Sequence, residues 1–213
     1  LNDQDIQQLY QLAHHPLLIV ISGTSGSGKD SVVKALVKRM KAKGSPVHFV
    51  ITATTRPKRA DEVDGVDYFF VSKDEFESMI AGDELIEYAL VYNQYKGVPK
   101  QQVREALASG KDVVMRLDVQ GAATIRKMVP QAVLIFITAP SEKELIRRLE
   151  SRATESPEQL HIRLETARQE MKRIAEFDYV IPNPDGKLDE TVQAAMDIIT
   201  AEKHRTYSTP VKL

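Results

Sequence analysis

Apolar and polar positions along the chain follow two rhythms. Leu17-Leu18-Ile19-Val20-Ile21 is an unbroken apolar run, rich in β-branched residues, that stops at Ser22-Gly23. Such a run marks a strand buried on both faces, as in a parallel sheet. From Asp30 to about Lys43 the period changes: Val33, Leu36, Val37 and Met40 recur at helical spacing, and Gly44 stands where a helix stop is expected. Val47–Ile51, Val113–Leu117, Val133–Thr138 and Tyr179–Ile181 repeat the strand pattern. Lys100–Ala108, Gln120–Met128, Ser141–Arg152, Pro157–Glu176 and Leu188–Glu202 repeat the helical one. Strands that alternate with helices imply crossover connections. The expected fold is therefore α/β, with a mostly parallel sheet and helices on both faces.

One region breaks the alternation. Residues 52–98 hold a charged, turn-rich stretch, the aromatic run Tyr68-Phe69-Phe70-Val71, a short helix at Asp74–Ala81 and a strand-like run at Leu85–Val91. This pattern predicts a small β-rich insertion on the α/β core. A polar stretch, Arg152 to Ser156, lies between two helices, and Ile6, Leu9 and Leu12 form an apolar stripe on a predicted N-terminal helix. The expected organisation is an extension over 1–16 and a core built from 17–51, 99–151 and 170–213. The insertion covers 52–98 and a lid covers 152–169.

Composition narrows the chemistry. The 213 residues carry 29 Lys plus Arg against 30 Asp plus Glu, a net charge of −1. A chain so nearly neutral has no overall field to gather nucleic acid or anionic lipid, so any polyanion must be held by a local basic site. Cysteine is absent, which excludes disulfides, zinc ribbons and thiol nucleophiles. The apolar runs fall far short of the ~20 residues that span a bilayer, so no membrane partner is expected. The chain opens on Leu1 rather than Met and reads as a processed or trimmed product, with any targeting segment outside it.

The strongest chemical signal follows the first strand. Gly23-Thr24-Ser25-Gly26-Ser27-Gly28-Lys29 is G-x-x-x-x-G-K between a strand and a helix. Its glycines let successive amides point inward as an anion nest, the helix N-terminus adds its positive end, and the lysine reaches the outer phosphates. This P-loop pattern continues with Ser or Thr, whose hydroxyl binds Mg²⁺, whereas here Asp30 precedes Ser31. A carboxylate is still a hard oxygen ligand, so Asp30 is a candidate for the metal, directly or through water; the alternative is a helix cap. Val113 to Asp118 has the form of an apolar strand ending in a Walker-B acid. Arg116 and Asp118 lie two apart and share a face; a plain Arg–Asp ion pair is the simpler alternative. Thr54-Thr55-Arg56-Pro57-Lys58-Arg59 is a compact cationic loop suited to a second phosphate, and Arg147, Arg148, Arg152 and Arg163 gather around the polar stretch.

These motifs occur in one order: the P-loop, Thr54-Thr55-Arg56, Arg59, Glu62, Gly65, Asp67-Tyr68, Ile86-Glu87, Asp118-Val119-Gln120-Gly121 and Arg148-Leu149-Glu150-x-Arg152. That order resembles the guanylate kinase family from about Leu17 to about Glu202. Asp30, together with Tyr95-Lys96-Gly97-Val98-Pro99-Lys100, resembles its plant organellar branch, plastid or mitochondrial. The resemblance implies a P-loop NTPase-type core, a GMP-binding insertion over 52–98, a lid, and phosphoryl transfer from ATP to GMP with Mg²⁺. A monomer acting on these small molecules, without nucleic acid, is expected.

Roles follow from the resemblance by position. Residues 23–31 and Asn183 would hold ATP. Arg56, Arg59 and Tyr68 would hold the GMP phosphate, Glu87 would accept from the guanine N1–H and 2-amino group, and Thr52 would reach O6. Lys29, Asp118 and the lid arginines Arg152 and Arg163 would act on the transferring group. Two further positions depart from the family. Arg116 stands where an acid is common, which is expected to alter guanine or phosphate contacts. Lys96-Gly97-Val98 replaces a Tyr-Gly-x-Ser-like turn, leaving either Tyr95 or Lys96 to reach the phosphate. Two other readings stay open: a non-catalytic guanylate-kinase-like binding module, which the intact P-loop and arginines oppose, and a kinase for another acceptor such as AMP, which Glu87 opposes.

Overall fold

The computed structural model describes residues 15–91, 93–150, 157–205 and 210–211. The predicted N-terminal helix, and Arg152 with its polar stretch, lie outside the described residues. The chain begins with β1 (Leu18–Gly23), α1 (Lys29–Ala42) and β2 (Val47–Phe49). The insertion follows with β3 (Ala53–Thr54), β4 (Phe69–Phe70), α2 (Lys73–Ala81), β5 (Leu85–Val91) and β6 (Gln94–Pro99). The core resumes with α3 (Lys100–Ala108), β7 (Asp112–Arg116), α4 (Val119–Met128), β8 (Val133–Thr138) and α5 (Glu142–Glu150). It closes with α6 (Pro157–Lys172), a 3₁₀ turn (Ile174–Glu176), β9 (Tyr179–Pro182) and α7 (Leu188–Lys203).

The main sheet has the order β2-β7-β1-β8-β9, and its pairings are all parallel. Alternation along β1 explains why its whole length is apolar. Leu18 and Val20 face one layer with Val113, Met115 and Ile125. Ile19 and Ile21 face the other, with Val33 and Leu36 of α1 and Val192 and Ile199 of α7. Every β1 residue is buried, so both faces exclude water, as the unbroken apolar run requires.

The insertion forms a second sheet, ordered β4-β3-β6-β5, with β3 parallel to β4 and antiparallel to β6, which also pairs antiparallel with β5. It has a small core of Ala53, Phe76 and Leu85, with Tyr95 packed against it. β3 and β6 are not evident in the sequence pattern. The predicted strand Val47–Ile51 ends at Phe49, because the Ile51 backbone leaves the sheet and bonds through its N–H and C=O to the Gln102 side chain, at 2.9 and 2.8 Å. The predicted helix Pro157–Glu176 is interrupted after Lys172 and resumes as the 3₁₀ turn.

Candidate active site

The P-loop leaves the carboxyl end of β1, where open parallel sheets place ligands. Gly28 is the N-cap of α1 at φ 81°, a left-handed conformation, and a Cβ there would stand 2.5 Å from Nδ2 of Asn183. The Asn183 Nδ2 donates to the Ser27 carbonyl at 2.9 Å, and its Oδ1 accepts from Thr191 at 3.1 Å. Arg148 adds bonds to the Asn183 and Ser27 carbonyls at 2.9 and 3.4 Å. Asn183 is therefore buried beneath the loop and props it, and it is not among the residues that line the cleft described next. The hydroxyls of Thr24 and Ser27 are buried with no hydrogen-bond partner among the described residues. Lys29 Nζ rests 3.4 Å from the Thr24 carbonyl. Asp30, in the first turn of α1, is not the cap; that position belongs to Gly28.

Across a cleft of about 440 Å³ stands a second cationic wall from the insertion. Arg56 donates to Glu62 at 2.6 Å and lies over the rings of Tyr68 and Phe70, at 5.2 and 5.6 Å. Glu62 also accepts from the Arg59 amide at 2.9 Å, so one carboxylate shapes the loop that carries both arginines. Burial pushes the Glu62 acid up, but Arg56 and the Arg59 amide outweigh it and hold the carboxyl below its ordinary range. Burial pushes the Tyr68 hydroxyl up, which keeps it a phenol that can donate. Thr52, Arg56, Arg59 and Tyr68 all line the cleft.

Glu87 lines the same cleft. It is 5 % exposed, and its Oε2 has no hydrogen-bond partner among the described residues. Burial, with the nearby charge of Asp118, pushes its acid up to about 8. A Cβ on Gly121 would stand 3.1 Å from all three atoms of its carboxyl group, so any larger residue in this first turn of α4 would press on the carboxylate. Strand alternation resolves the two residues left open at 95 and 96. Tyr95 turns its ring onto Phe76, stacked at 5.0 Å, while Lys96 faces the cleft, where burial pushes its ammonium down. The expected cleft role of Tyr95 is thus corrected, since its ring belongs to the insertion core.

Three groups stand between the walls. Asp118 lines the cleft, and its Oδ1 caps α4 by accepting from the Gln120 and Gly121 amides, each at 2.9 Å. Arg116 faces the same cleft and approaches Asp30 at 3.6 Å. From α6, Arg163 reaches the Ser25 hydroxyl at 3.3 Å. Of the P-loop residues, Gly23 and Ser27 lie outside the cleft lining, while Thr24, Ser25, Gly26, Gly28, Lys29, Asp30 and Ser31 belong to it. Sequence reasoning missed Gln94 and Glu170, which also line it. Glu170 lies two helical turns beyond Arg163, and that spacing was the available signal. Burial pushes its acid up, and its Oε2 has no hydrogen-bond partner among the described residues.

Comparison with known proteins places this geometry in a family. A profile described as guanylate kinase matches residues 15–202. The chain is 48 % identical over 199 residues to guanylate kinase 2, chloroplastic/mitochondrial, of Oryza sativa subsp. japonica, covering 93 % of this chain and 68 % of the relative. It is 44 % identical over 189 residues to the guanylate kinase of Caldanaerobacter subterraneus subsp. tengcongensis, covering 89 % of each. The crystal structure of guanylate kinase from Anaplasma phagocytophilum superposes with a TM-score of 0.74 at 28 % identity, covering 91 % of this chain and 89 % of that one.

Proposed function

The chain belongs to the guanylate kinase family and is a guanylate kinase, a nucleoside monophosphate kinase, and from that premise we propose that its cleft transfers the γ-phosphoryl group of ATP to the phosphate of GMP through the residues described above. One observation carries the assignment of roles. A P-loop with Lys29 and a cationic wall with Arg56, Arg59 and Tyr68 line one cleft, together with a buried carboxylate, Glu87. In this reading residues 52–98 form the GMP-binding domain and 152–169 the lid.

The acceptor is already an anion, so the reaction needs no covalent intermediate. A phosphate oxygen of GMP attacks the γ-phosphorus, the bond to the bridging oxygen breaks, and ADP leaves with that electron pair. The protein's contribution is alignment and neutralisation of spreading charge. P-loop amides and Lys29 hold the donor, Arg56, Arg59 and the Tyr68 hydroxyl hold the acceptor phosphate, and Arg163 acts on the moving group, a role that Arg152 would share by its position in the family motif. Glu87, when ionised, accepts from guanine N1–H and the 2-amino group; adenine offers no such pair of donors on that edge. Thr52 supplies a hydroxyl toward O6, and Lys96 a cation near the acceptor.

Mg²⁺ fits the donor set. Asp30 and Asp118 are hard oxygen ligands on the same cleft as Lys29, and among the described residues no group of three or more ligating side chains occurs. These two carboxylates would hold the ion or its waters together with nucleotide phosphates. When bound, the ion supplies neutralisation of the phosphate charge. An organellar setting, plastid or mitochondrial, is supported by the compartment named for the rice relative. Fractionation of cells that express the protein from its natural gene, against plastid, mitochondrial and cytosolic markers, tests it.

Coupled ADP release with saturating ATP–Mg²⁺ tests the acceptor: GMP is turned over and AMP is not. The Lys29→Ala and Arg163→Ala variants are each expected to lose on the order of a hundredfold or more in turnover. Near-normal turnover in both removes these roles, and GMP-independent ADP release removes the acceptor.

A further inference from the structure

Arg116 makes four contacts that join parts of the molecule far apart in sequence. Its side chain is 7 % exposed. Its guanidinium lies over the Tyr68 ring at 4.7 Å and over Phe49 at 5.7 Å, and it donates to the Asp67 carbonyl at 3.3 Å. Its charge faces the Asp30 carboxylate at 3.6 Å. Asp30 opens the helix that follows the P-loop, and Tyr68 belongs to the acceptor wall. One turn along the same helix face, Lys34 binds the Asp67 carboxylate at 2.6 Å. The segment Asp67-Tyr68 is therefore held to the core by two cations, and the more buried of them is balanced by Asp30.

We infer that Arg116 is a positioning residue that fixes the Tyr68 hydroxyl for the acceptor phosphate, and that Asp30 acts through it, so that residues 30 and 116 work as one charge pair across the boundary between donor and acceptor. This inference rests on the proposed role of Tyr68 at the GMP phosphate. A nearly buried guanidinium needs a counter-charge, or its orientation is lost. Its flat face suits an aromatic ring in a way an ammonium does not. Asp30 thus affects the acceptor from the donor side, whatever it also does for the metal.

Calorimetric titration with GMP, without ATP or divalent metal, separates these roles. Asp30 is exposed, so Asp30→Ser leaves the fold intact, which a melting curve confirms. It is expected to weaken metal-free GMP binding several-fold, and Arg116→Met roughly tenfold or more, by loss of a desolvated cation–ring contact. Because the two residues form one unit, the double variant binds GMP no worse than Arg116→Met alone. Arg116→Lys restores part of the affinity, since it keeps the charge and loses the stacked plane. In steady-state assays of Arg116→Met, KM for GMP rises while KM for ATP stays within about twofold, a split expected because its ring and Asp67 contacts lie on the acceptor side.

Unchanged metal-free GMP binding in Asp30→Ser overturns the inference, because the residue would then serve only the metal or nothing. Losses that multiply in the double variant overturn it too. Should Arg116→Met fail to fold, the Asp30→Ser titration alone still decides. A wild-type chain that binds no GMP removes the proposed function and this inference together. A wild-type chain that binds GMP, with variants that bind it equally well, removes this inference alone.

Discussion

Glu87 shows how one buried side chain sets both selectivity and pH response. Its acid, raised to about 8 by burial and by Asp118, is mostly protonated near neutrality in the ligand-free protein. Guanine offers donors on the recognised edge, so only the carboxylate matches it. GMP binding must therefore expel a proton below pH 8. The sign follows: GMP affinity rises with pH, approaching tenfold per unit, and levels off above about 8. Stability of the ligand-free fold runs the other way, because a raised acid favours folding at low pH and gives up that contribution between its ordinary 4.5 and about 8. Titration calorimetry between pH 7 and 9 in buffers of different ionisation heat measures the released proton directly. The Glu87→Gln variant should release none, show no such slope in that window, and lose on the order of a hundredfold or more in kcat/KM for GMP, because a site built for two donors then meets one with a donor of its own. Equal proton release by both proteins would detach the pH response from this residue.

Between residues and the whole lie the elements, and the P-loop is the one whose chemistry depends most on what lies beneath it. Gly28 combines a φ of 81° with a Cβ position 2.5 Å from Asn183 Nδ2. Gly28→Ala carries a backbone penalty of about 1 kcal/mol and also drives out the prop that holds the Ser27 carbonyl. The expected outcome is a lowered Tm and loss of binding to a fluorescent ATP analogue, with GMP binding retained. Adding Asn183→Ala relieves the clash but not the φ strain, so the pair is non-additive, which a double-variant cycle measures. The loop itself was legible in sequence, because its signal is local: a β-branched run, glycines, a lysine and a helical period follow one another within thirty residues. Its prop was not, since Asn183 meets Ser27 across 156 positions of chain. The same limit hid β3, whose two residues become a strand only by pairing with β4 and β6, and β6, whose six residues become one by pairing with β3 and β5. It also hid Glu170, because helical periodicity gives a face without saying which neighbour that face meets. Tyr95 and Lys96 could be told apart only once β6 existed, for alternation has no meaning before the strand is known.

At the scale of the molecule, the two walls of the cleft rest on cores of very different size, and this sets where the protein yields first. The main sheet is packed on both faces by helices. The insertion depends on a buried Phe76 between Ala53 and Leu85, stacked on Tyr95, and a Cβ on Gly97 would already meet its ring at 2.8 Å. Phe76→Ala in a packed core costs about 3–5 kcal/mol, and a core this small has little else to offset the loss. Ile86 and Val98, by contrast, reach across into the main core with Val103 and Met115, so those ends of β5 and β6 stay anchored. The variant should therefore melt locally, as a sub-global opening rather than a collapse of the whole. Hydrogen exchange should show lost protection in β3, β4 and α2, with β1, β7 and β8 still protected. GMP binding should fail while the fluorescent ATP analogue still binds, because the P-loop stands on the other core. A uniform loss of protection across both sheets, with both ligands lost together, would instead show that Ile86 and Val98 bind the two cores into one cooperative unit.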